Sequence, residues 1–206
     1  MGFYARHIFP RLMHWSLSRP ALAEERRRAL AGVSGAVLEI GFGTGLNLPH
    51  YPNDVRKITA VDRNEAVFRL AEQQIAASPI AVERLVQSSE RLPMPDGSFD
   101  SVVSTFTLCS IADVAAALRE MRRVLRPSGR FFFLEHGLSS QPRVARWQHR
   151  LTPITRCIGE GCHLDRPIRR LIEQAGFHAV QCDEHYSPAM PRLAGYLYCG
   201  VAAPAM

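Results

Sequence analysis

Residues 37–45 read Val-Leu-Glu-Ile-Gly-Phe-Gly-Thr-Gly, an apolar strand signal that runs into glycines at 41, 43 and 45. With no Cβ at those positions the backbone can turn sharply and approach a ligand closely. A second apolar run, Ile58-Thr59-Ala60-Val61, ends in Asp62. A carboxylate about 20 residues past the first glycine is where a Rossmann-type domain holds a ribose. These residues describe a site for a nucleoside-containing ligand, set against the plainer alternative of a glycine-rich turn with no ligand. The spacing narrows the choice. A dinucleotide fingerprint wants its third glycine at position 46, which is Leu46. Glu39, two residues before the first glycine, would repel a pyrophosphate and suits a cationic ligand.

Other reactive side chains lie near the ends of apolar runs. His136 follows the run 130–135 and is the first candidate for a general base, since imidazole titrates near neutrality; the alternative is a histidine that orients a loop. Cys109 follows the run 101–105 and would line a pocket or, as free cysteines commonly do, fill a small buried space. Tyr4, His7, Trp147 and His163 are candidates for acceptor contact. The five cysteines are odd in number and widely spread, and none forms C-x-x-C. A reduced protein with no metal site is the expectation.

The elements needed to position these groups can be traced along the chain. Strands are expected at 37–40, 58–62, 82–86, 101–105 and 130–135, with a closing pair at 179–183 and 196–202. Helices are expected at 65–77, at 113–126 with Asp113 as N-cap and Pro127-Ser128-Gly129 as terminator, and at 166–175 before Gly176. Alternating strands and helices imply a parallel, doubly wound sheet. The last two strands, with no helix between them, imply an antiparallel edge hairpin. The fold expected is α/β and Rossmann-like, with seven strands. Ser139 to His163 reads as a long loop over the acceptor pocket, and its length makes it the expected carrier of specificity.

The pattern E-x-G-x-G-x-G resembles motif I of the class I S-adenosylmethionine-dependent methyltransferases. S-adenosylmethionine carries a sulfonium and an ammonium and no phosphate, as Glu39 and Leu46 favour. The stretch Leu92-Pro93-Met94-Pro95-Asp96-Gly97-Ser98-Phe99-Asp100 and the run Arg123-Val124-Leu125-Arg126-Pro127-Ser128-Gly129 are similar to segments of the type 11 methyltransferase family. The resemblance covers about residues 35–180. Three shorter segments, Phe106-Thr107-Leu108-Cys109-Ser110, Phe133-Leu134-Glu135-His136 and Gly161-Cys162-His163-Leu164, resemble the methyltransferase-like seven group, which is implicated in methylating alkyl thiols. The resemblance implies S-adenosyl-L-methionine as cofactor and S-adenosyl-L-homocysteine as product. It places the methionine and ribose parts at Glu39, Gly41, Gly43, Thr44, Gly45, Asp62 and Arg63. The adenine falls at Ser88, Ser89 and Glu90, and the methyl group beside Thr105 and Phe106. The family usually has an acidic residue where Ser88 and Ser89 stand, so the adenine end departs from the pattern. The function expected is methyl transfer to a small hydrophobic acceptor, a thiol first. Phospholipid N-methylation or a quinone-type acceptor is the alternative; an NAD-binding oxidoreductase is disfavoured by Leu46 and Glu39.

The 206 residues, 47% hydrophobic and 21% charged, suit one globular α/β domain. There is no apolar run near the length of a membrane span and no signal-peptide pattern, so the expected location is cytoplasmic. The formal charge of +6 comes almost wholly from arginine, Lys57 being the single lysine. The clusters at 26–28, 119–126 and 166–170 read as solvated helix faces, with no nucleic-acid partner expected. Residues 1–34 form a separate unit before a methyltransferase domain at 35–206. Within residues 1–18, aromatic and aliphatic side chains alternate with arginine and histidine, and Pro10 interrupts the pattern. The segment reads as a lid, as a peripheral contact at the inner face of a membrane, or as a helix packed on the domain.

Overall fold

The computed structural model describes residues 3–205, so Met1 and Gly2 of the N-terminal segment, and Met206, lie outside the described residues. Seven strands form one sheet: β1 (Val37–Ile40), β2 (Lys57–Asp62), β3 (Ala81–Val86), β4 (Phe99–Thr105), β5 (Leu125–His136), β6 (Phe177–Tyr186) and β7 (Tyr196–Pro204). Their order is β3-β2-β1-β4-β5-β7-β6. The first five pair in parallel, and β7 runs antiparallel between β5 and β6. The expected seven-stranded Rossmann-like sheet and its antiparallel edge hairpin are both present. Strand order reverses between β1 and β4, and in open α/β sheets that switch point, at the carboxyl ends of the strands, is where ligands bind.

Helices cover both faces: α1 (Phe9–Leu17), α2 (Pro20–Leu30), α3 (Glu65–Leu70), α4 (Glu72–Ala77), α5 (Val114–Val124), α6 (Pro142–Ile158) and α7 (Ile168–Gln174). One core layer joins Leu38, Ile40, Phe131 and Phe133 of the sheet to Leu118 and Met121 of α5 and to Ile168 and Ile172 of α7. The other joins Val37, Ile58 and Val103 to Phe68, Ala71 and Leu30. Buried on both faces, β1 and the end of β5 are mostly apolar, broken only by the buried Glu39, Glu135 and His136.

Several elements differ from expectation. The helix at 65–77 is broken at Ala71 into α3 and α4. Asp113 does cap α5, its carboxylate accepting the Ala116 N–H at 2.8 Å, but that helix stops at Val124. Leu125 then pairs with Phe99, and the ladder slips before Ser101 meets Arg130. Pro127-Ser128-Gly129 therefore forms a bulge in the start of β5 instead of a helix terminator. The supposed loop at 139–163 is largely helix: α6 runs for 17 residues, with Pro142 in its first turn and Pro153 inside it. Proline is tolerated in a first turn, and a helix can pass an internal proline at the loss of one hydrogen bond. Two arginines read as solvated, Arg26 and Arg166, are buried at 3% and 7% exposure.

Candidate active site

The strand β1 delivers the chain to the glycine turn. Gly41 has φ +72°, and a Cβ there would sit 2.0 Å from Thr107 Oγ1, so the position excludes any side chain. Its N–H donates to the Val61 carbonyl at 2.8 Å, which pins the turn to β2. Asp62 ends β2 beside the turn. Its Oδ2 accepts the Gly43 N–H at 3.0 Å and its Oδ1 accepts the Asn64 N–H at 2.9 Å. Burial raises the Asp62 pKa while these backbone donors pull it back. A carboxylate held this way keeps lone pairs available for ribose hydroxyls.

A cavity of about 560 Å³ opens over these groups, a size suited to a cofactor with its acceptor. Gly41, Gly43, Thr44, Asp62 and Arg63 line it, as do Ser88, Ser89, Glu90, Thr105 and Phe106. The structure thus brings together nearly all the residues assigned to the cofactor. Gly45 and Glu39 are the exceptions, being absent from the lining. Glu39 is 1% exposed, and both its oxygens are engaged: Asn47 Nδ2 donates to one at 2.7 Å and the Tyr51 hydroxyl to the other at 2.7 Å. Burial pushes its pKa up to about 7, against these two hydrogen bonds. Glu39 thus meets the cavity through Asn47, which lines it and also donates to Thr105 Oγ1 at 3.0 Å. At the opposite end Ser88 Oγ donates to Glu90 Oε2 at 3.0 Å, and the Asp113 N–H donates to Glu90 Oε1 at 2.8 Å.

The N-terminal segment roofs the cavity. After a π-helical turn at Tyr4–Ile8, the inner side of α1 contributes Pro10, Met13, His14 and Leu17 to the lining. His14 Nδ1 lies 2.8 Å from Thr44 Oγ1, in the glycine turn. The Tyr4 hydroxyl donates to the Ile158 carbonyl at 2.8 Å and joins the roof to the end of α6. From α2, Arg26 reaches the cavity. Its guanidinium stacks 5.3 Å from the centre of the Phe106 ring and donates to the Leu17 carbonyl at 3.1 Å, while Nε has no hydrogen-bond partner among the described residues. Burial lowers its pKa to about 10, with Glu39 opposing. Phe106 itself has φ +52°, a strained conformation for an aromatic residue at the tip of β4.

Past Phe106 the cavity is walled by Cys109, Ile111, His136, Ile158, Cys162 and Leu164. Glu135 anchors this wall from inside the fold. Its carboxylate accepts from Ser104 Oγ at 2.7 Å and from the Thr107 and Leu108 N–H groups at 2.8 and 3.1 Å. Burial raises its pKa to about 8. His136 is buried, with Nε2 3.4 Å from Cys162 Sγ. The nearby Cys162 thiol and then His136 hold the Cys109 thiol well below its usual range, against its burial. Three acceptor candidates lie elsewhere. Trp147 is exposed on α6 beneath Arg150 and does not border the cavity. His7 packs on Phe3 at the surface, and His163 faces Asp165 at 3.6 Å. Helical periodicity turns Trp147 outward once 142–158 is a helix. Nothing in the local spacing of Arg26 marks it, and Cys162, though inside the segment 161–164, carries no role from its sequence alone. Asn47, two residues past Gly45, is the one a longer reading of the glycine turn could have found.

The comparisons with known proteins agree with this geometry. The type 11 methyltransferase domain matches residues 38–133. The human thiol S-methyltransferase TMT1B is 36% identical over 167 residues, covering 78% of this chain and 68% of that protein. A phosphatidylethanolamine N-methyltransferase of Cereibacter sphaeroides is 29% identical over 162 residues, covering 76% of this chain and 78% of its own length. Among solved structures, a chain from the Haloferax volcanii complex of a methyltransferase with its activator Trm112 superposes with a TM-score of 0.72. It has 18% identity and covers 98% of this chain and 96% of that one, a likeness of fold. With the glycine turn, Asp62 and the matched segments in place, the chain belongs to the class I S-adenosylmethionine-dependent methyltransferases of type 11, in the group of the thiol S-methyltransferases.

Proposed function

We propose that the acceptor is an alkyl thiol and that the product is its methyl thioether. The observation that carries this reading is the wall beyond Phe106, where apolar side chains and two thiols surround the place at which the methyl group would emerge. A thiol needs deprotonation and an apolar pocket and little else, because the thiolate is itself the strong nucleophile. Glu135, the carboxylate nearest this wall in sequence, is committed to Ser104, Thr107 and Leu108. The likeness to a thiol S-methyltransferase over most of the chain supports the same acceptor.

The cavity fits the cofactor on the chemistry of its donors. Asp62 would accept from the ribose hydroxyls, and the Ser88-Ser89-Glu90 turn would border the adenine. Arg26, whose buried Nε has no hydrogen-bond partner among the described residues, would meet the carboxylate of the methionine part. S-adenosylmethionine supplies an activated methyl group on a sulfonium sulfur. The chain's own contribution is orientation: the glycine turn and Asp62 fix one end, and Thr105 and Phe106 set where the acceptor must stand for in-line attack. The roof of α1 covers one side of the cavity.

The outer side of the roof supports peripheral contact with a lipid surface, at the inner face of the membrane. Phe3, Ile8 and Trp15 are exposed there, Ile154 is exposed on α6, and Arg6, Arg11 and Arg19 lie among the N-terminal group. Apolar rings beside arginines suit a headgroup boundary. No helix among the described residues is long and apolar enough to cross a membrane. Steady-state assays with alkyl thiols, phosphatidylethanolamine and demethylated quinones test the acceptor. Thiol kcat/KM should exceed the others at least about tenfold, a transition-state preference near 1.4 kcal/mol. A preference for the amine would transfer the assignment to phospholipid N-methylation.

A further inference from the structure

Three elements bring a soft ligand set to one point of the acceptor wall. Cys109 comes from the loop after β4, His136 from the end of β5 and Cys162 from the loop after α6. Their Sγ, imidazole nitrogen and Sγ atoms all lie within 4.8 Å of one another. Cys109 and His136 are buried, Cys162 is partly so, and all three line the cavity. We propose that these side chains bind one Zn²⁺ ion and that its fourth position, open to the cavity, takes the sulfur of the acceptor. The inference rests on the thiol reading above.

The geometry and the donor chemistry agree. With Zn–S near 2.3 Å and Zn–N near 2.0–2.1 Å, a tetrahedral ion needs a sulfur–nitrogen edge of roughly 3.5 Å. Cys162 Sγ and His136 Nε2 are 3.4 Å apart. Two thiolates and one imidazole select zinc over hard cations such as magnesium and calcium. Zinc sites with two cysteines and one histidine keep a fourth position for water or substrate. The His136 ring is only 6% exposed, and its other nitrogen has no partner among the described residues. A thiol is a weak hydrogen-bond partner for a buried imidazole, whereas a metal bond gives Nε2 a strong partner and fixes the ring proton on Nδ1.

The chemistry balances without a further reactant. The acceptor R–SH releases its proton to solvent as its sulfur binds the ion. A sulfur lone pair then forms the new S–CH₃ bond. The bond between the methyl group and the cofactor sulfonium breaks, leaving its electron pair on a neutral thioether sulfur. The product R–S–CH₃ is a poor ligand and leaves. In this scheme His136 holds the ion, replacing its expected role as general base, because the same Nε2 cannot both bind the metal and accept a proton.

The test uses the full chain, reduced, stripped with a chelator and titrated with Co²⁺ as a spectroscopic stand-in for Zn²⁺. One cobalt per chain should bind with a thiolate-to-cobalt charge-transfer band and be displaced by Zn²⁺. Cys109→Ser and Cys162→Ser should each weaken Zn²⁺ binding more than about 100-fold, beyond the loss seen for outer-shell partners. Binding of S-adenosylhomocysteine reports that each variant is folded. No charge-transfer band in the native chain, or an unchanged band in both folded variants, overturns the site. If a variant does not fold, alkylation of the native chain decides. Zn²⁺ should protect Cys109 and Cys162 while the exposed Cys157 reacts at its usual rate, and equal reaction of all three overturns the site. Thiol methylation unchanged by zinc removal contradicts the metal's role and leaves the thiol reading intact. A chain that binds zinc but methylates only an amine contradicts the thiol reading and leaves the binding site intact.

Discussion

At the scale of single residues, the proposed cofactor site depends on Asp62 and Arg26 and, through Asn47, on Glu39, and each makes a separable prediction. Asp62→Ala should weaken binding of S-adenosylhomocysteine by about 1–3 kcal/mol through lost ribose hydrogen bonds, read by calorimetry. Unchanged affinity would show that the ribose lies elsewhere. Arg26→Met should reduce affinity for S-adenosylhomocysteine at least about tenfold, the value of one charged hydrogen bond. The same change should leave 5′-methylthioadenosine, which has no carboxylate, almost unaffected. Equal losses for the two ligands would make Arg26 a packing residue. Glu39 predicts a pH dependence. Its pKa rises on folding from 4.5 to about 7, so between those values the folded state holds a proton that the unfolded state has released. Stability contributed by this group is present below pH 4.5 and is lost as the pH rises to 7, by an amount of order 3 kcal/mol. Denaturant titrations across that window should show a flatter pH slope for Glu39→Gln than for the native chain. Parallel slopes would mean that Glu39 titrates normally.

Among the elements, the glycine turn and the N-terminal roof carry the site. Gly41→Ala would put a Cβ 2.0 Å from Thr107 Oγ1 at φ +72°, so it should abolish cofactor binding or unfold the turn. Full binding by that variant would contradict the described turn. Legibility in the sequence also divides by element. The strands β1, β2 and β4, the cap at Asp113 and the antiparallel hairpin follow from apolar runs and local turn chemistry, which the fold does not override. The helix α6 was hidden because its prolines argue locally for a loop, and their tolerance depends on a first-turn position and on outside packing. The start of β5 was hidden because Arg123 to Leu125 has good helix formers, while strand pairing with Phe99 takes Leu125 out of the helix. Arg26 looked solvated because its neighbours are. Only the meeting of α2 with the β4 tip places it on Phe106, and no local pattern encodes that meeting. Cys109, His136 and Cys162 are likewise far apart in the chain and meet only through the parallel crossover and α6.

For the whole molecule, the roof has two sides with different consequences. Its inner side closes the cavity through His14 and Tyr4, and its outer side exposes Phe3, Ile8 and Trp15. Flotation with anionic liposomes should recover the full chain and lose most of it after deletion of residues 1–18; equal recovery would remove the membrane role and leave only a lid. The central claim concerns where the methyl group goes. The most direct measurement supplies S-adenosylmethionine with a deuterated methyl group together with an alkyl thiol, phosphatidylethanolamine and a demethylated quinone, and locates the label by mass spectrometry. The label should appear on the sulfur of the alkyl thiol, with S-adenosylhomocysteine formed in equal amount. Label on the phospholipid nitrogen or on quinone carbon, with the thiol unlabelled, would contradict it.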